Sequence, residues 1–144
     1  MKIFATIFAL AIVFQTSLLT VKEVDSEKRD IIVTVPNVGG NEGKVHFALY
    51  DKDNFMSIPI QTQSDVPNEN ESTVTFTNIA PGNYAIVCFH DANSNDEMDF
   101  QENGMPLDSY GASNNSMSFG PPNFGSAKCD GSVKDATLEF RCEE

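Results

Sequence analysis

The residues best suited to chemistry in this sequence form one twelve-residue stretch, Asp91 to Glu102, which is rich in oxygen-bearing side chains. Its spacing follows that of calcium-binding loops, in which positions 1, 3, 5, 9 and 12 supply side-chain oxygens and position 7 supplies a backbone carbonyl. Ca²⁺ takes roughly six to eight oxygen ligands at about 2.4 Å, so a loop with this spacing can surround one ion. The predicted metal ligands are, in chain order, Asp91, Asn93, Asn95, Glu97, Asp99 and Glu102.

Two features of this stretch bear on the ion that it would hold. All the side-chain candidates are oxygen donors, with no Cys or imidazole among them, so a hard cation is favoured over zinc or copper. Position 6 of a calcium loop is normally Gly, because the turn needs a positive φ, whereas this chain has Asp96 there. Asp enters the left-handed region at a cost of about 1 kcal/mol relative to Gly, so we expect a weakened site. The alternative is an acidic, Asn-rich turn that binds no metal.

The charge of the chain also favours a cation as its partner. The 144 residues include 9 Lys and Arg against 21 Asp and Glu, which gives a net charge of −12. No Lys or Arg occurs between Asp53 and Ala127, a window that includes the whole candidate loop. Such a surface repels phosphate backbones and anionic lipid headgroups. We therefore expect the protein to bind no nucleic acid, and docking on anionic membranes is disfavoured.

The N-terminal residues are typical of a secretory signal peptide. Met1-Lys2 is followed by an apolar run from Ile3 to Phe14, which as a helix would span about 18 Å, short of a bilayer core of about 30 Å. We predict a signal peptide over residues 1–20 with an imprecise cleavage site, followed by one domain over residues 30–142. The mature protein is then secreted, periplasmic or at the cell surface, without a membrane span. The alternative is an uncleaved N-terminal anchor.

The three cysteines are expected to behave differently in an oxidising compartment. Cys88 lies inside an apolar strand, where a thiol packs as a small hydrophobic group. Cys129 and Cys142 flank a turn-rich segment and could face each other across a C-terminal hairpin. We therefore predict a Cys129–Cys142 disulfide and a free Cys88.

Alternating apolar and polar residues predict an all-β chain. The patterns favour an antiparallel, immunoglobulin-like β-sandwich of about seven strands. The run from Tyr84 to His90 is apolar on both faces, so its outer face needs a cover. The long segment from Gly104 to Gly125 is the predicted cover. The clearest predicted strands span 31–35, 44–50, 73–77, 84–90, 127–130 and 137–141.

Several motifs in this order resemble a secreted, mostly bacterial domain-of-unknown-function family usually numbered twenty-one forty-one. They are Pro81-Gly82-Asn83-Tyr84-Ala85-Ile86, Phe89-His90-Asp91-x-Asn93-x-Asn95, Met98-Asp99, Gly104-Met105-Pro106, Tyr110-Gly111-Ala112-Ser113-Asn114-Asn115 and Gly120-Pro121-Pro122-Asn123-Phe124. The resemblance covers residues 31–141 and implies a small exported β-sandwich with no established activity.

Two positions depart from the family pattern. The family usually has Asn-Gly where this chain has Asn95-Asp96, and Glu where it has Asp108. More distantly, the Pro-Gly-x-Tyr strand followed by the Asp-x-Asn-x-Asn loop is similar to transthyretin-like and collagen-adhesin B-type modules. That likeness implies a sandwich used as a spacer or binding module, and it concerns the fold alone.

Catalysis is the less favoured function. His90 and Asp91 are consecutive on a strand, so their side chains diverge, and His46 alternates away from Val45 and Phe47 toward the outside. A pair of carboxylates such as Asp99 and Asp108 could serve a glycoside hydrolase, which is one alternative.

A binding function would use the segment that follows the loop. Aromatic and amide side chains there suit a glycan or a peptide: Tyr110, Asn114, Asn115 and Phe124. The alternative is that the aromatic rings only cover the strand 84–90. We therefore expect an exported, non-catalytic, calcium-binding β-sandwich that acts as an accessory or binding module for an unknown small ligand, glycan or peptide. An adhesin-type glycan- or peptide-binding protein is the main alternative.

Overall fold

The computed structural model describes residues 28–115, 121–130 and 135–137. The predicted signal peptide, residues 1–20, and Cys142 lie outside these ranges. Among the described residues, no helix has both the length and the apolar character needed to cross a bilayer.

Strands make up most of the described chain, as the alternating pattern predicts. The strands are β1 Arg29–Val35, β2 Lys44–Tyr50, β3 Gln61–Asp65, β4 Ser72–Ile79, β5 Asn83–Asp91, β6 Tyr110–Ala112, β7 Cys129–Asp130 and β8 Asp135–Thr137. The helices are short, a 3-10 helix over Ser113–Asn115 and α1 over Phe124–Ala127. Along β2 and β4, buried residues alternate with more exposed ones, because successive side chains of a strand point to opposite faces.

The strands form two sheets, and the protein is an all-β sandwich. One sheet has the order β4-β1-β8 and the other β3-β2-β5-β6, with β7 also paired to β5. The pairs are antiparallel except for β1 with β8. The core lies between the sheets and includes Val33 and Phe76 from one and Phe47, Leu49 and Ile86 from the other.

The outer face of β5 is covered, although not only by the segment that the sequence predicts. A second apolar cluster is built on Ala85, with Phe55 and Phe124 packed against it. Phe55 belongs to the connection between β2 and β3, whereas Phe124 begins α1. Ser113 links β5 to α1, because its hydroxyl accepts a hydrogen bond from the Ile86 N–H and donates one to the Ala127 carbonyl.

The pairing of β2 with β5 places the candidate loop. Lys44 lies opposite Asp91, and His46 lies opposite Phe89. Just before β2, Gly43 has a φ of 71°, and a Cβ at this position would lie 1.9 Å from the Asp91 carbonyl oxygen. Gly43 therefore allows the start of β2 to pass directly against the end of β5.

Candidate metal centre

The Asp91 side chain is the anchor of the candidate centre. It is the last residue of β5 and is fully buried. The carboxylate accepts hydrogen bonds from the N–H of Asn95 at 3.2 Å and from the N–H of Asp96 at 2.8 Å. The loop thus folds back over its own first carboxylate. Burial raises the pKa of Asp91, but these backbone N–H groups and the nearby His46 ring outweigh it, so the net pKa is lowered and the group is ionised.

The loop continues as a chain of side-chain-to-backbone turns. The Asn93 Oδ1 accepts from the Asn95 N–H at 3.1 Å, and the Asn95 Oδ1 accepts from the Glu97 N–H at 2.9 Å. Asp96 has a φ of 61° and Ser94 a φ of 59°. The expectation that Asp96 takes the left-handed conformation normally given to Gly is therefore confirmed.

Asp99 joins the loop to the chain that follows. Its carboxylate accepts from the Asn93 amide at 2.7 Å and from the Asn95 amide at 3.0 Å. Its backbone N–H donates to the Asp108 carboxylate at 2.9 Å. The structure therefore brings together the predicted ligands at positions 3, 5 and 9, next to position 1.

The Glu102 side chain does not join the hydrogen bonds of this arrangement, and Glu97 is predicted to supply only its backbone carbonyl. Both side chains are exposed. In the described chain, the ligand atoms that lie within 4.8 Å of one another belong to His46, Asp91 and Asp96, so the carboxylates of Glu97, Asp99 and Glu102 are not among them. Glu102 sits past Asp99, where the backbone turns into a separate hairpin, so the twelve-position pattern is followed only as far as position 9.

His46 is the residue that the sequence analysis missed. Its Nε2 lies 3.5 Å from the Asp91 carboxylate and 3.7 Å from that of Asp96. The ring stacks on Phe89 with centroids 5.0 Å apart. Within the described part of the chain, Nε2 is buried and has no hydrogen-bond partner. His46 points away from the sandwich core, as the alternation predicts, and the loop after β5 lies on that outer face, which the alternation does not reveal.

The other candidate residues are held in separate places. The His90 ring contacts the Glu42 carbonyl oxygen at 2.7 Å and does not face Asp91, its neighbour in sequence. Cys129 has a free thiol that donates to the Tyr84 carbonyl oxygen at 3.3 Å. The partner in the predicted Cys129–Cys142 disulfide, Cys142, lies outside the described residues.

The predicted ligand-binding residues divide between two roles. Phe124 meets Phe55 edge to face at a centroid distance of 5.7 Å, which makes it part of the cover of β5. Asn114 donates to the Lys128 carbonyl at 2.5 Å, while Asn115 is exposed. Tyr110 is half-buried and lines a cavity beside the candidate loop.

One comparison with known proteins gives a match. The family described as "Uncharacterized protein conserved in bacteria (DUF2141)" matches residues 33–139. The chain belongs to this family. The matched range includes all six predicted metal ligands and His46, so the candidate centre lies inside the family domain. No curated protein and no solved structure matches the chain, and the likeness to transthyretin-like modules stays a prediction.

Proposed function

We propose that the protein is an exported, non-catalytic β-sandwich that binds one Ca²⁺ in the loop after β5 and acts as an accessory or binding module. The observation that carries the proposal is the fully buried, ionised Asp91 carboxylate at the start of that loop. A buried charge is costly unless hydrogen bonds or an opposite charge compensate it. The His46 ring lies beside this carboxylate, with its Nε2 at 3.5 Å.

The loop supplies suitable ligands for a hard cation. The hydrogen bonds of the loop hold close together four side chains that carry carboxylate or amide oxygens: Asp91, Asn93, Asn95 and Asp99. Each of these oxygens keeps a second lone pair for an ion. With the exposed Glu102 carboxylate outside this group of side chains, water would complete the coordination, so the expected affinity is that of weak extracellular sites, with a Kd of about 10⁻⁴ to 10⁻³ M.

The assignment to the exterior of the cell rests on the N-terminal apolar run, and the calcium proposal is consistent with it. Extracellular Ca²⁺ at about 1 mM would occupy a site with a Kd of about 10⁻⁴ M, which adds about 1.4 kcal/mol to the free energy of unfolding. The ion would then act as a clamp on the loop and would not be a reactant.

The unpartnered His46 Nε2 favours a second candidate, a zinc-type ion held by His46, Asp91 and Asp96. Tetrahedral ligands at about 2.1 Å from Zn²⁺ lie about 3.4 Å from one another. The Nε2 atom lies at 3.5 Å and 3.7 Å from the two carboxylates, close to that spacing. Nitrogen and oxygen ligands together suit zinc better than calcium.

Thermal unfolding of the purified protein tests the proposal. In 1 mM Ca²⁺ we expect a melting temperature about 5 °C higher than in EGTA, which follows from about 1.4 kcal/mol in a domain of this size. Asp91→Asn should abolish the increase. Asp53→Asn is the matched control, because it removes the same charge at an exposed position outside the loop. An equal melting temperature with and without Ca²⁺ in the parent protein would refute the calcium proposal.

The same assay separates the two ions. His46→Asn should leave the calcium effect unchanged but remove any stabilisation by Zn²⁺. If Zn²⁺ stabilises the parent protein, Ca²⁺ does not, and His46→Asn abolishes the effect, the second candidate replaces the first.

A further inference from the structure

A cavity of about 430 Å³ lies beside the metal loop. Val87 and Tyr110 line it on the side of the sheet, and Met98, Phe100 and Met105 line it on the side of the loop. Met56, from the connection between β2 and β3, also lines it. Cavities of roughly 300 to 1,000 Å³ with mostly apolar walls are the usual sites of small-molecule ligands.

Large apolar side chains at this cavity are left in contact with water. Met56, Phe100 and Met105 are 52%, 56% and 44% exposed. Methionine side chains are flexible and polarisable, and they adapt to ligands of different shape. A surface of this kind is stabilised when an apolar molecule covers it, at roughly 25 cal/mol for each Å² removed from water.

The charges around the cavity select among apolar ligands. All its lining residues lie between Met56 and Pro122, inside the window that has no Lys or Arg. The lining therefore offers no cation to an anionic headgroup. Three acids are next to or between lining residues on the chain, and they would attract a positive charge: Glu97, Asp99 and Glu102.

We infer that this cavity binds a cationic amphiphile, a molecule with an alkyl or aromatic body and a positively charged amine at one end. The apolar body would lie against Met98, Phe100 and Met105, and the charged end would face the acidic surface outside. The inference names a ligand class for the binding module and rests on that part of the proposed function. It does not depend on an ion in the loop.

The structure nevertheless connects the cavity to the metal loop. The wall from Phe100 to Pro106 is a small hairpin in which Phe100 pairs with Pro106, and the Gln101 N–H donates to the Met105 carbonyl at 2.7 Å. The stem of the hairpin is closed by the Leu107 N–H, which donates to the Asp99 carbonyl at 2.8 Å. An ion that fixes Asp99 would therefore also fix this wall, while its positive charge would offset the attraction of Asp99 for the cationic head.

The test compares two ligands that differ in the charge of the head. Decyltrimethylammonium and decanoate are titrated into the purified protein by calorimetry below their micelle-forming concentrations, in EGTA and again in Ca²⁺. In EGTA we expect saturable binding of the cation at one site, about tenfold tighter than that of decanoate. Binding of neither ligand, equal binding of both, or tighter binding of decanoate would overturn the inference. Because this arm contains no Ca²⁺, its result is independent of the calcium proposal.

A charge placed at the mouth sharpens the test. Met105→Lys puts a cation in the lining, so decyltrimethylammonium should bind about tenfold more weakly and decanoate more tightly. The matched control is Leu107→Lys, because Leu107 is 63% exposed and does not line the cavity. Met56→Lys serves as a second lining variant if Met105→Lys fails to fold. An equal loss of binding in the Leu107 variant and the lining variants would show that the cavity is not the site.

Discussion

Replacing Asp96 by Gly separates the two metal proposals, because it relaxes the loop of one and removes a ligand from the other. Asp96 has a φ of 61°, a conformation that costs an L-residue such as Asp about 1 kcal/mol more than it costs Gly. Removing this cost would stabilise the folded state, but the greater conformational freedom of Gly in the unfolded chain offsets about 0.5 kcal/mol of that stabilisation. We therefore expect Asp96→Gly to raise the free energy of unfolding by about 0.5 kcal/mol in the absence of metal.

The effect of Asp96→Gly on ion binding follows from the contacts of the residue. The backbone N–H that donates to the Asp91 carboxylate is kept in Gly. Calcium affinity should therefore be kept or rise by up to about fivefold, since the substitution removes no predicted calcium ligand and relieves the cost of the left-handed Asp. Zinc affinity should fall at least about tenfold, because a three-residue site loses one of its ligands.

The assay is a pair of titrations, Ca²⁺ and Zn²⁺, followed by calorimetry, with urea unfolding for stability. Ser94→Gly is the matched control, because Ser94 has a φ of 59° and supplies no ligand to either site. It should give the stability gain without the loss of zinc binding. A loss of calcium binding in Asp96→Gly, with Ser94→Gly unaffected, would refute the assignment of ligands in the loop.

Three further outcomes are expected. In urea unfolding, Gly43→Ala should lower the free energy of unfolding by more than 2 kcal/mol, because its Cβ would lie 1.9 Å from the Asp91 carbonyl oxygen. The control Gly39→Ala should be nearly neutral, because a Cβ at Gly39 would have nothing within 4 Å. By NMR, the pKa of the Asp91 carboxyl should lie below its ordinary value of 3.8. Its contribution to the free energy of unfolding is then complete above about pH 3.8 and is lost as the pH falls through the lower native pKa. A titration midpoint above 3.8 would contradict the hydrogen-bond argument. Burial raises the pKa of the Cys88 thiol, so a disulfide reagent at pH 8 should modify it only at the rate at which the protein unfolds. Rapid modification of Cys88 in the native protein would contradict its burial.

The sequence predicted the sandwich because most strands have one buried face and one exposed face. That alternation is strong in β2 and β4, whose buried positions recur every second residue. It is absent from β3, whose Gln-Thr-Gln-Ser-Asp sequence has no apolar side chain and lies at the edge of its sheet. Edge strands of this kind are specified by pairing with a neighbour, which a local pattern does not reveal.

The candidate site was predictable in its local part and not in its long-range part. Hydrogen bonds within a few residues of Asp91 form the turns of the loop, so spacing alone indicated Asn93, Asn95 and Asp99 as its companions. His46 depends on the register between β2 and β5, which the sequence analysis did not assign. Glu102 was placed by analogy with a loop that continues to position 12, whereas here the backbone after Asp99 enters the hairpin of the cavity wall.

The measurement that tests the central claim most directly is a calorimetric calcium titration of the purified, metal-free protein and of its Asp99→Asn variant. The Asp99 carboxylate accepts hydrogen bonds from the side-chain amides of both Asn93 and Asn95. The Asp99→Asn substitution keeps the shape of this side chain but removes its charge. We predict one calcium site in the parent protein with a Kd of about 10⁻⁴ to 10⁻³ M. Calcium binding should be at least about tenfold weaker in Asp99→Asn. The control variant Asp53→Asn should bind calcium as the parent protein does. Absence of binding in the parent protein, or an equal loss in Asp53→Asn, would contradict the account.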